Sequence, residues 1–263
     1  MARTWYRNQA LARQTTTSTS YVDVVDLTFT PAPSTNYYLL WSAQFDVSVT
    51  NSNARHRLRD DTVGSNLANP IHRAPNASDI MSAGGIATWT SGAAPGSQTF
   101  SVEHSVDTAS VTLGSGDAYL MAISGDATDQ YAESTGNSST TSSTLTDKAT
   151  LSFTPASAGD YLILCSCEIN GFIPASTNGV GRVLLDVNGT QLFDTIDGYF
   201  AQTNSQYASW CHGAVVNLAA APQVVKIRYA ASDNATTAQI RQARILAMRL
   251  DSFTDAHTAQ NNT

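Results

Sequence analysis

Residues 27–32 read LTFTPA, and residues 151–156 read LSFTPA. The similarity continues without a gap, because residues 37–42 (YYLLWS) align with residues 161–166 (YLILCS) after a short turn of small and polar residues in both places. The two stretches agree in residue order, in spacing and in the positions of their apolar residues, which indicates an internal repeat. The chain is therefore predicted to contain two copies of one structural unit.

The alignment of the two copies extends well beyond these opening segments. After one inserted residue it includes Arg57 with Arg182, Asp61 with Asp186, residues 98–102 with residues 223–227, and residues 118–123 with residues 243–248.

The repeat also resolves an ambiguity near the end of the chain. Residues 238–250 have apolar side chains at helical spacing, but the aligned segment of the first copy contains Gly114, Gly116 and Asp117. Two glycines would make a helix costly there. Both segments are therefore predicted to form a turn followed by a strand.

The local patterns favour strands throughout. Phe100, Val102 and His104 alternate with polar residues, as expected for a strand with one face in the core. Asn188-Gly189 predicts a two-residue type I′ hairpin. The prediction is an all-β chain of two tandem jelly-roll-like β-sandwich domains preceded by an N-terminal arm, although sequence alone does not separate a jelly roll from another sandwich.

The expected domain boundaries follow from the repeat and from a low-complexity stretch rich in Ser and Thr between the copies. They are an N-terminal basic arm at residues 1–20, a first sandwich at 21–124, a linker at 125–145, a second sandwich at 146–252 and a C-terminal tail at 253–263.

Composition excludes several classes of function. Charged residues make up 13% of the 263 residues, and the net charge of −7 argues against binding nucleic acid. No apolar stretch is long enough for a membrane span, and the first residues have no apolar region of a secretion signal. We expect a protein without membrane contact that is made in a host cytoplasm.

The N-terminal segment differs from the rest of the chain in charge. It contains Arg3, Arg7 and Arg13 and no acidic residue up to position 13, and Trp5 offers an apolar anchor. These four residues are predicted to contact an acidic partner. The alternative is a solvated leader that simply lacks acids.

No constellation of residues predicts a catalytic, cofactor or metal site. Cys165 and Cys167 fall on the apolar side of a predicted strand, so they are interpreted as buried structural thiols. The adjacent Cys211 and His212 would point to opposite faces, which prevents direct proton transfer between them. Asp60 and Asp61 are interpreted as turn or salt-bridge residues.

The histidines are interpreted as scattered surface or edge residues, because no spacing between them suggests a metal site. They are His56, His72, His104, His212 and His257.

Several aromatic residues of the second copy lie in loop-rich or partly polar sequence. Tyr199, Phe200, Tyr207 and Trp210 are candidates for contact with a glycan or a receptor, because exposed aromatic rings can serve as binding platforms. Trp41 and Tyr37 are predicted to belong to the core instead.

The repeat unit resembles proteins encoded among the structural genes of tailed bacteriophages and gene transfer agents. The resemblance is carried by residues 151–156 (LSFTPA), 160–164 (DYLIL) and 240–250 (IRQARILAMRL). It implies a component of a virion: a capsid decoration or cement protein, a head-spike base or a tail adaptor. The partners would be the major capsid protein or other virion proteins, and the protein would itself form homo-oligomers.

Three functions are therefore considered. The first is a non-enzymatic structural protein on the surface of a phage-like particle. The alternative is a receptor- or carbohydrate-binding module of a phage tail or head fibre. A hydrolase assembled from distant acids remains a third option, because fold alone does not exclude an enzyme.

Overall fold

The chain forms two compact units whose boundary falls between Asp126 and Ala127. The computed structural model describes residues 3–50, 52–73, 77–78, 80–172, 181–195, 200–201, 207–232 and 236–252. Both units consist of strands that pair almost entirely antiparallel. The predicted all-β class and tandem organisation are confirmed. The predicted C-terminal tail, residues 253–263, lies outside the described residues.

In the residues that the structure describes, the first unit contains ten strands. They are β1 (Trp5–Ala10), β2 (Gln14–Thr16), β3 (Val22–Phe29), β4 (Asn36–Val47), β5 (Asn53–Asp60), β6 (Ser65–Ala68), β7 (Ile71–Arg73), β8 (Met81–Thr90), β9 (Gln98–Val106) and β10 (Leu113–Ser124).

The described part of the second unit follows the same order except at β17, which pairs parallel with β14, and it ends in a short 3-10 turn at Leu250–Ser252. Its strands are β11 (Gln130–Ser134), β12 (Ser138–Thr140), β13 (Thr146–Phe153), β14 (Gly159–Phe172), β15 (Gly181–Val187), β16 (Thr190–Thr195), β17 (Phe200–Ala201), β18 (Ala208–Leu218), β19 (Gln223–Ala231) and β20 (Thr237–Arg249).

Each unit is a jelly roll. In the first, one sheet has the order β1-β10-β4-β8 and the other β3-β9-β5-β6, while β2 extends β1 along β10 and β7 extends β6 along β5. When β1 with β2, and β6 with β7, are each counted as one strand, the unit has eight strands. Their order is 1-8-3-6 in one sheet and 2-7-4-5 in the other, which is jelly-roll connectivity. The second unit repeats it with β11-β20-β14-β18 and β13-β19-β15-β16.

Alternation of side chains explains the central strands. In β4, every second residue from Tyr37 to Val47 is buried, and in β14 the corresponding set runs from Tyr161 to Ile169. A strand that presents one face to a sandwich core needs this period of two. Cys165 and Cys167 belong to the buried set, so their predicted structural role is confirmed.

Two backbone features confirm the predicted turns. Asn188 (φ 54°) and Gly189 (φ 83°) join β15 to β16 with both residues in the left-handed region that a type I′ turn requires. Asp117 (φ 44°) in β10 and Gln242 (φ 53°) in β20 lie at repeat-equivalent positions, each where the pairing with the neighbouring strand shifts register. The duplication therefore preserved a β-bulge as well as the strands.

The segments predicted as an N-terminal arm and a linker both contain strands. The arm contains β1, which pairs with β10 from Trp5↔Ile123 to Ala10↔Ala118. The linker contains β11 and β12, which pair with β20 in the same way. Both segments look unstructured in sequence because an outer strand of a sheet needs few apolar residues when backbone pairing with its neighbour fixes it.

The sheet register also corrects part of the sequence alignment. Val102 pairs with Leu58 and the equivalent Ile227 pairs with Leu185, so Leu58 corresponds to Leu185. Arg57 is therefore not equivalent to Arg182, and Asp61 is not equivalent to Asp186. A gap of two more residues is needed in this strand, and sequence similarity is too weak there to locate it.

We expect Tyr6→Ala to lower the free energy of unfolding by about 1–2 kcal/mol, because the half-buried Tyr6 ring packs on the core. Its centroid lies 4.3 Å from that of the buried Phe29 ring. The control Arg7→Ala changes an exposed residue of the same strand and should cost less than about 0.5 kcal/mol. Urea unfolding of the full chain, followed by tryptophan fluorescence, measures both. Equal small effects would mean that β1 does not contribute to the fold.

Candidate functional site

The basic residues of the N-terminal segment have different environments. Arg3 is buried and its Nη1 donates to the carbonyl of Ser124 at 3.3 Å. Arg13 forms a bidentate ion pair with Asp46, with Nη2 and Oδ1 2.6 Å apart. Arg7 is exposed. The burial of Arg3 does not fit its predicted contact with a partner, whereas the predicted contact of Arg13, whose side chain is 52% exposed, stays a prediction.

Arg7 and Trp5 remain candidates for partner contact. The Arg7 Cζ lies 5.5 Å from the centroid of the Trp5 ring, and both side chains project from the same side of β1. This side faces away from the first core, because the intervening Tyr6 stacks on Phe29 inside the sandwich.

The sheet that contains β1 presents apolar side chains on the surface that faces away from the core. Arg7, Met121, Leu40 and Ile86 are adjacent across β1, β10, β4 and β8. Met121 and Leu40 are half-buried, Ile86 is buried, and the nearby Tyr119 is 44% exposed. We call the Arg7–Met121–Leu40–Ile86 set the first outward row.

The second unit has an equivalent set. Tyr131, Leu246, Leu164 and Gly213 are adjacent across β11, β20, β14 and β18, and we call them the second outward row. Tyr131 and Leu164 are half-buried, Leu246 is fully buried, and Val215 on the same surface is 60% exposed. Outward apolar residues at the same positions of both units are a feature of the repeat.

The predicted aromatic platform is not present in the described residues. Tyr207 is buried, its hydroxyl lies 2.8 Å from Gln239 Oε1, and the Arg241 Cζ lies 3.9 Å from its ring centroid. Burial raises the pKa of Tyr207. Trp210 is also buried and belongs to the second core. Tyr199 lies outside the described residues, and only the backbone of Phe200 is described.

A different aromatic pair is accessible at the edge of the second unit. Phe193 in β16 is 40% exposed and stacks on His212 in β18, with ring centroids 4.8 Å apart and planes 19° apart. Phe193 has φ 52°, a backbone region that bulky side chains rarely adopt. Next to it, Asp194 pairs with Arg182, which lowers the pKa of the carboxyl group by hydrogen bonding.

The carboxylates that sequence analysis singled out have structural roles. Asp60 Oδ1 accepts hydrogen bonds from the backbone N–H groups of Thr62 and Val63, so it orders the turn after β5. Asp61 pairs with Arg59 at 3.2 Å. The predicted turn and salt-bridge roles are confirmed, although the partner of Asp61 is Arg59.

Three histidines occupy the first core, so their interpretation as surface or edge residues is wrong. His56, His72 and His104 are each at most 1% exposed. Ser115 Oγ lies 2.7 Å from His104 Nδ1 and 3.4 Å from His56 Nε2. A signal was present in the sequence, because His56 and His104 continue the alternating inward positions of their strands.

The described residues contain no group of three or more His, Cys, Asp or Glu side chains arranged to hold a metal ion. In the same part of the chain, no helix has the length and apolar character needed to span a membrane.

Comparison with known proteins gives only distant structural similarity. No protein-family profile and no curated protein matches the chain. It is similar to a protein of infectious bursal disease virus Gt strain, with 7% identity over 95% of this chain and 73% of that one, and a TM-score of 0.34.

Two bacterial structures show comparable similarity. The tandem CBM51 modules of a family 98 glycoside hydrolase from Streptococcus pneumoniae are 9% identical over 85% of this chain and 81% of theirs, with a TM-score of 0.25. Dimeric latent PorU from Porphyromonas gingivalis is 10% identical over 82% of this chain, with a TM-score of 0.35, but this chain spans 24% of its length. These values assign no family.

We expect Arg241→Gln to lower the free energy of unfolding by about 2–4 kcal/mol, because it leaves the Glu168 carboxylate buried without its ion-pair partner. In the folded chain Arg241 Nε donates to Glu168 Oε2 at 2.6 Å, and the Glu168 side chain is 8% exposed. The matched control Arg182→Gln breaks a more exposed pair with Asp194 and should cost at most about 1 kcal/mol. Chemical denaturation compares the two variants, and a smaller loss for Arg241→Gln would argue against this structural role.

Proposed function

We propose that the protein is a non-enzymatic structural component of a phage-like particle, located on the particle surface, where it decorates or cements the capsid or forms the base of a spike. The observation that carries this proposal is the pair of outward rows. Leu40, Met121 and Leu164 in these rows are partly accessible, and the neighbouring Tyr119 and Val215 are exposed. An accessible apolar surface on a sheet is typical of a site of protein–protein contact.

The position of the outward rows suits a part of an assembly. Met121 and Leu40 lie on β10 and β4, the two inner strands of their sheet, and Leu246 and Leu164 hold the same positions on β20 and β14. A contact made there is supported by the most extensively paired strands of each unit. Two such surfaces in one chain allow it to bridge neighbouring subunits, which is the task of a cement protein.

The charge distribution agrees with a protein partner. The chain has a net charge of −7, so it is not suited to neutralising the phosphates of nucleic acid. Arg7 places one exposed positive charge at the end of the first outward row. The proposed partners are the major capsid protein, other virion proteins and further copies of this chain.

The first test is the composition of purified particles. Mass spectrometry should detect this protein in stoichiometric amounts in particles purified through a density gradient. Absence of the protein from such particles would end the proposal.

We expect the double variant Leu40→Gln/Met121→Gln to bind particles lacking this protein at least 10-fold more weakly than the unmodified chain, because it makes the first outward row polar. The control Val63→Gln changes a residue that is 70% exposed in the turn after β5. Its binding should be unchanged. Sedimentation of particles with added protein measures both, and urea unfolding verifies the fold. Equal binding by the two variants would remove the outward row from the mechanism.

A second function, binding of a carbohydrate or receptor, is favoured by one observation. Phe193 exposes its ring although its backbone adopts a conformation that costs about 1 kcal/mol or more for such a residue. Strain retained at an accessible aromatic side chain is typical of a binding site. The ring can stack on the apolar face of a sugar while the neighbouring Arg182–Asp194 pair offers polar contacts.

We expect Phe193→Asn to abolish glycan binding without lowering stability, because asparagine tolerates the left-handed conformation. A glycan array of host surface polysaccharides measures the binding, and thermal unfolding measures the stability. The control Tyr119→Asn removes an aromatic ring of similar exposure from the first unit. An array without signal for the unmodified chain, or equal signals for Phe193→Asn and the unmodified chain, would contradict this function.

A further inference from the structure

The core of the first unit contains a polar cluster that connects its two sheets. His56 and His104 are paired across β5 and β9, and His72 approaches from β7. From the opposite sheet, Phe45 places its ring 4.6 Å from that of His56 and 5.5 Å from that of His72. Ser115 completes the cluster through its hydroxyl group. We call these five residues the histidine cluster.

The second unit has an apolar core at the equivalent positions. The sheet register aligns Phe45 with Ile169, His56 with Val183, His104 with Tyr229 and Ser115 with Ile240. All four residues of the second unit belong to its hydrophobic core. The two units therefore share a fold but differ in whether their cores can take up protons.

We propose that the first unit is an acid-sensitive jelly roll, which loosens in mildly acidic solution through protonation of the histidine cluster while the second unit stays folded. This inference goes beyond the proposed function and does not depend on it. Its physical basis is the cost of placing a charged imidazolium in a closed core.

The folded unit favours neutral histidines. Burial lowers the pKa of His104 to about 4. Burial lowers the pKa of His56 well below its usual value, and repulsion from His72 and His104 contributes in the same direction. The Nδ1 atom of His56 has no hydrogen-bond partner, so no acceptor compensates a proton there.

One charged group near the cluster acts in the opposite direction. Burial, with repulsion from neighbouring carboxylates, raises the pKa of Asp26 on β3 to about 6, and β3 pairs with β9. Its folded carboxyl group therefore takes up a proton in the same pH range and offsets the effect of about one histidine, but not of two.

The other charged groups on the packed strands do not face the cluster closely. On β5, Asp60 lies on the inward side four residues beyond His56 and binds turn N–H groups. On β9, Glu103 points to the outer side and pairs with Arg57. On β4, Asp46 also points outward and pairs with Arg13. On β10, Asp117 is exposed in the bulge beyond Ser115.

The direction of the pH dependence follows from the sign of these shifts. An unfolded histidine has a pKa of about 6.5, and the folded values are lower, so the unfolded state binds more protons at acidic pH. Stability is then constant above about pH 6.5 and falls as the pH decreases toward the folded pKa. Each histidine raises the unfolding constant up to about 10-fold per pH unit over this range.

Loosening of the first core would also disturb the first outward row. Phe45 and Leu40 belong to the same strand, and so do Ser115 and Met121. Protonation in the core therefore disturbs the strands that carry the first outward row. The second outward row is built on β14 and β20, whose core positions have no histidine equivalent to His56 or His104.

Hydrogen exchange of the full chain, read by mass spectrometry and corrected for the intrinsic exchange rate at each pH, tests the proposal. Between pH 7 and pH 5, protection of β5 and β9 should fall at least about 30-fold more than protection of β15 and β19. Equal changes in the two units would overturn the proposal.

Two variants test whether the histidines cause the loss of protection in the first unit. The triple variant His56→Val/His104→Tyr/Ser115→Ile installs the residues of the second unit and should reduce the excess loss of protection in the first unit to below about 10-fold. If this variant does not fold, His104→Gln should reduce the excess about 10-fold, since it removes one titrating group. The control His212→Gln removes a histidine of the second unit, so the loss of protection in β5 and β9 should stay unchanged. An undiminished excess in His104→Gln would refute the role assigned to this histidine.

Discussion

The last strand of each jelly roll lies between the first and third strands, and this placement holds each sheet together. β10 pairs with β4 from Leu113 to Ser124, and its other edge is shared by β1 and β2. The bulge near Asp117 shifts the strand by one residue, so that Ser115 on one side and Leu120 on the other both face the core. β20 has the equivalent bulge at Gln242.

This arrangement explains why the N-terminal segment belongs to the fold. Without β1, the edge of β10 would expose unpaired backbone groups over six residues, and Phe29 would lose the ring of Tyr6. Arg13 depends on the same strand: its side chain crosses Gly114 to reach Asp46, and a methyl group at Gly114 would overlap the guanidinium. The basic residues near the N-terminus are therefore partly structural.

Sequence alone predicted the features that depend on strong local signals. The repeat of residues 27–32 predicts the tandem organisation, and the alternation along β4 and β14 predicts the all-β class. Asn188-Gly189 predicts the hairpin. The outer strands β1 and β11 were missed, because they are defined by backbone pairing with distant strands. Their side chains do not show an alternation strong enough to reveal them.

The candidate sites were harder to predict because they depend on which surfaces meet in three dimensions. Trp210 and Tyr207 are aromatic residues in partly polar sequence, which suggests exposure. In the folded chain the Trp210 side chain packs in the core, and Arg241 covers the Tyr207 ring. Phe193 was overlooked, since nothing local distinguishes a strained, accessible phenylalanine from a buried one. The histidine cluster needed the contacts between two sheets, although the inward positions of His56 and His104 were visible in their strands.

The comparison of the two units shows which properties the common fold requires. Both keep the central strands, the bulge and an apolar outward row, so these features are compatible with two different cores. At four equivalent core positions, the first unit has an aromatic, two imidazoles and a hydroxyl where the second has aliphatic residues and a tyrosine. A polar core connected through Ser115 stabilises less than an apolar one of the same volume. The proposed acid sensitivity would therefore affect the outward surface of the first unit and leave that of the second unit in place.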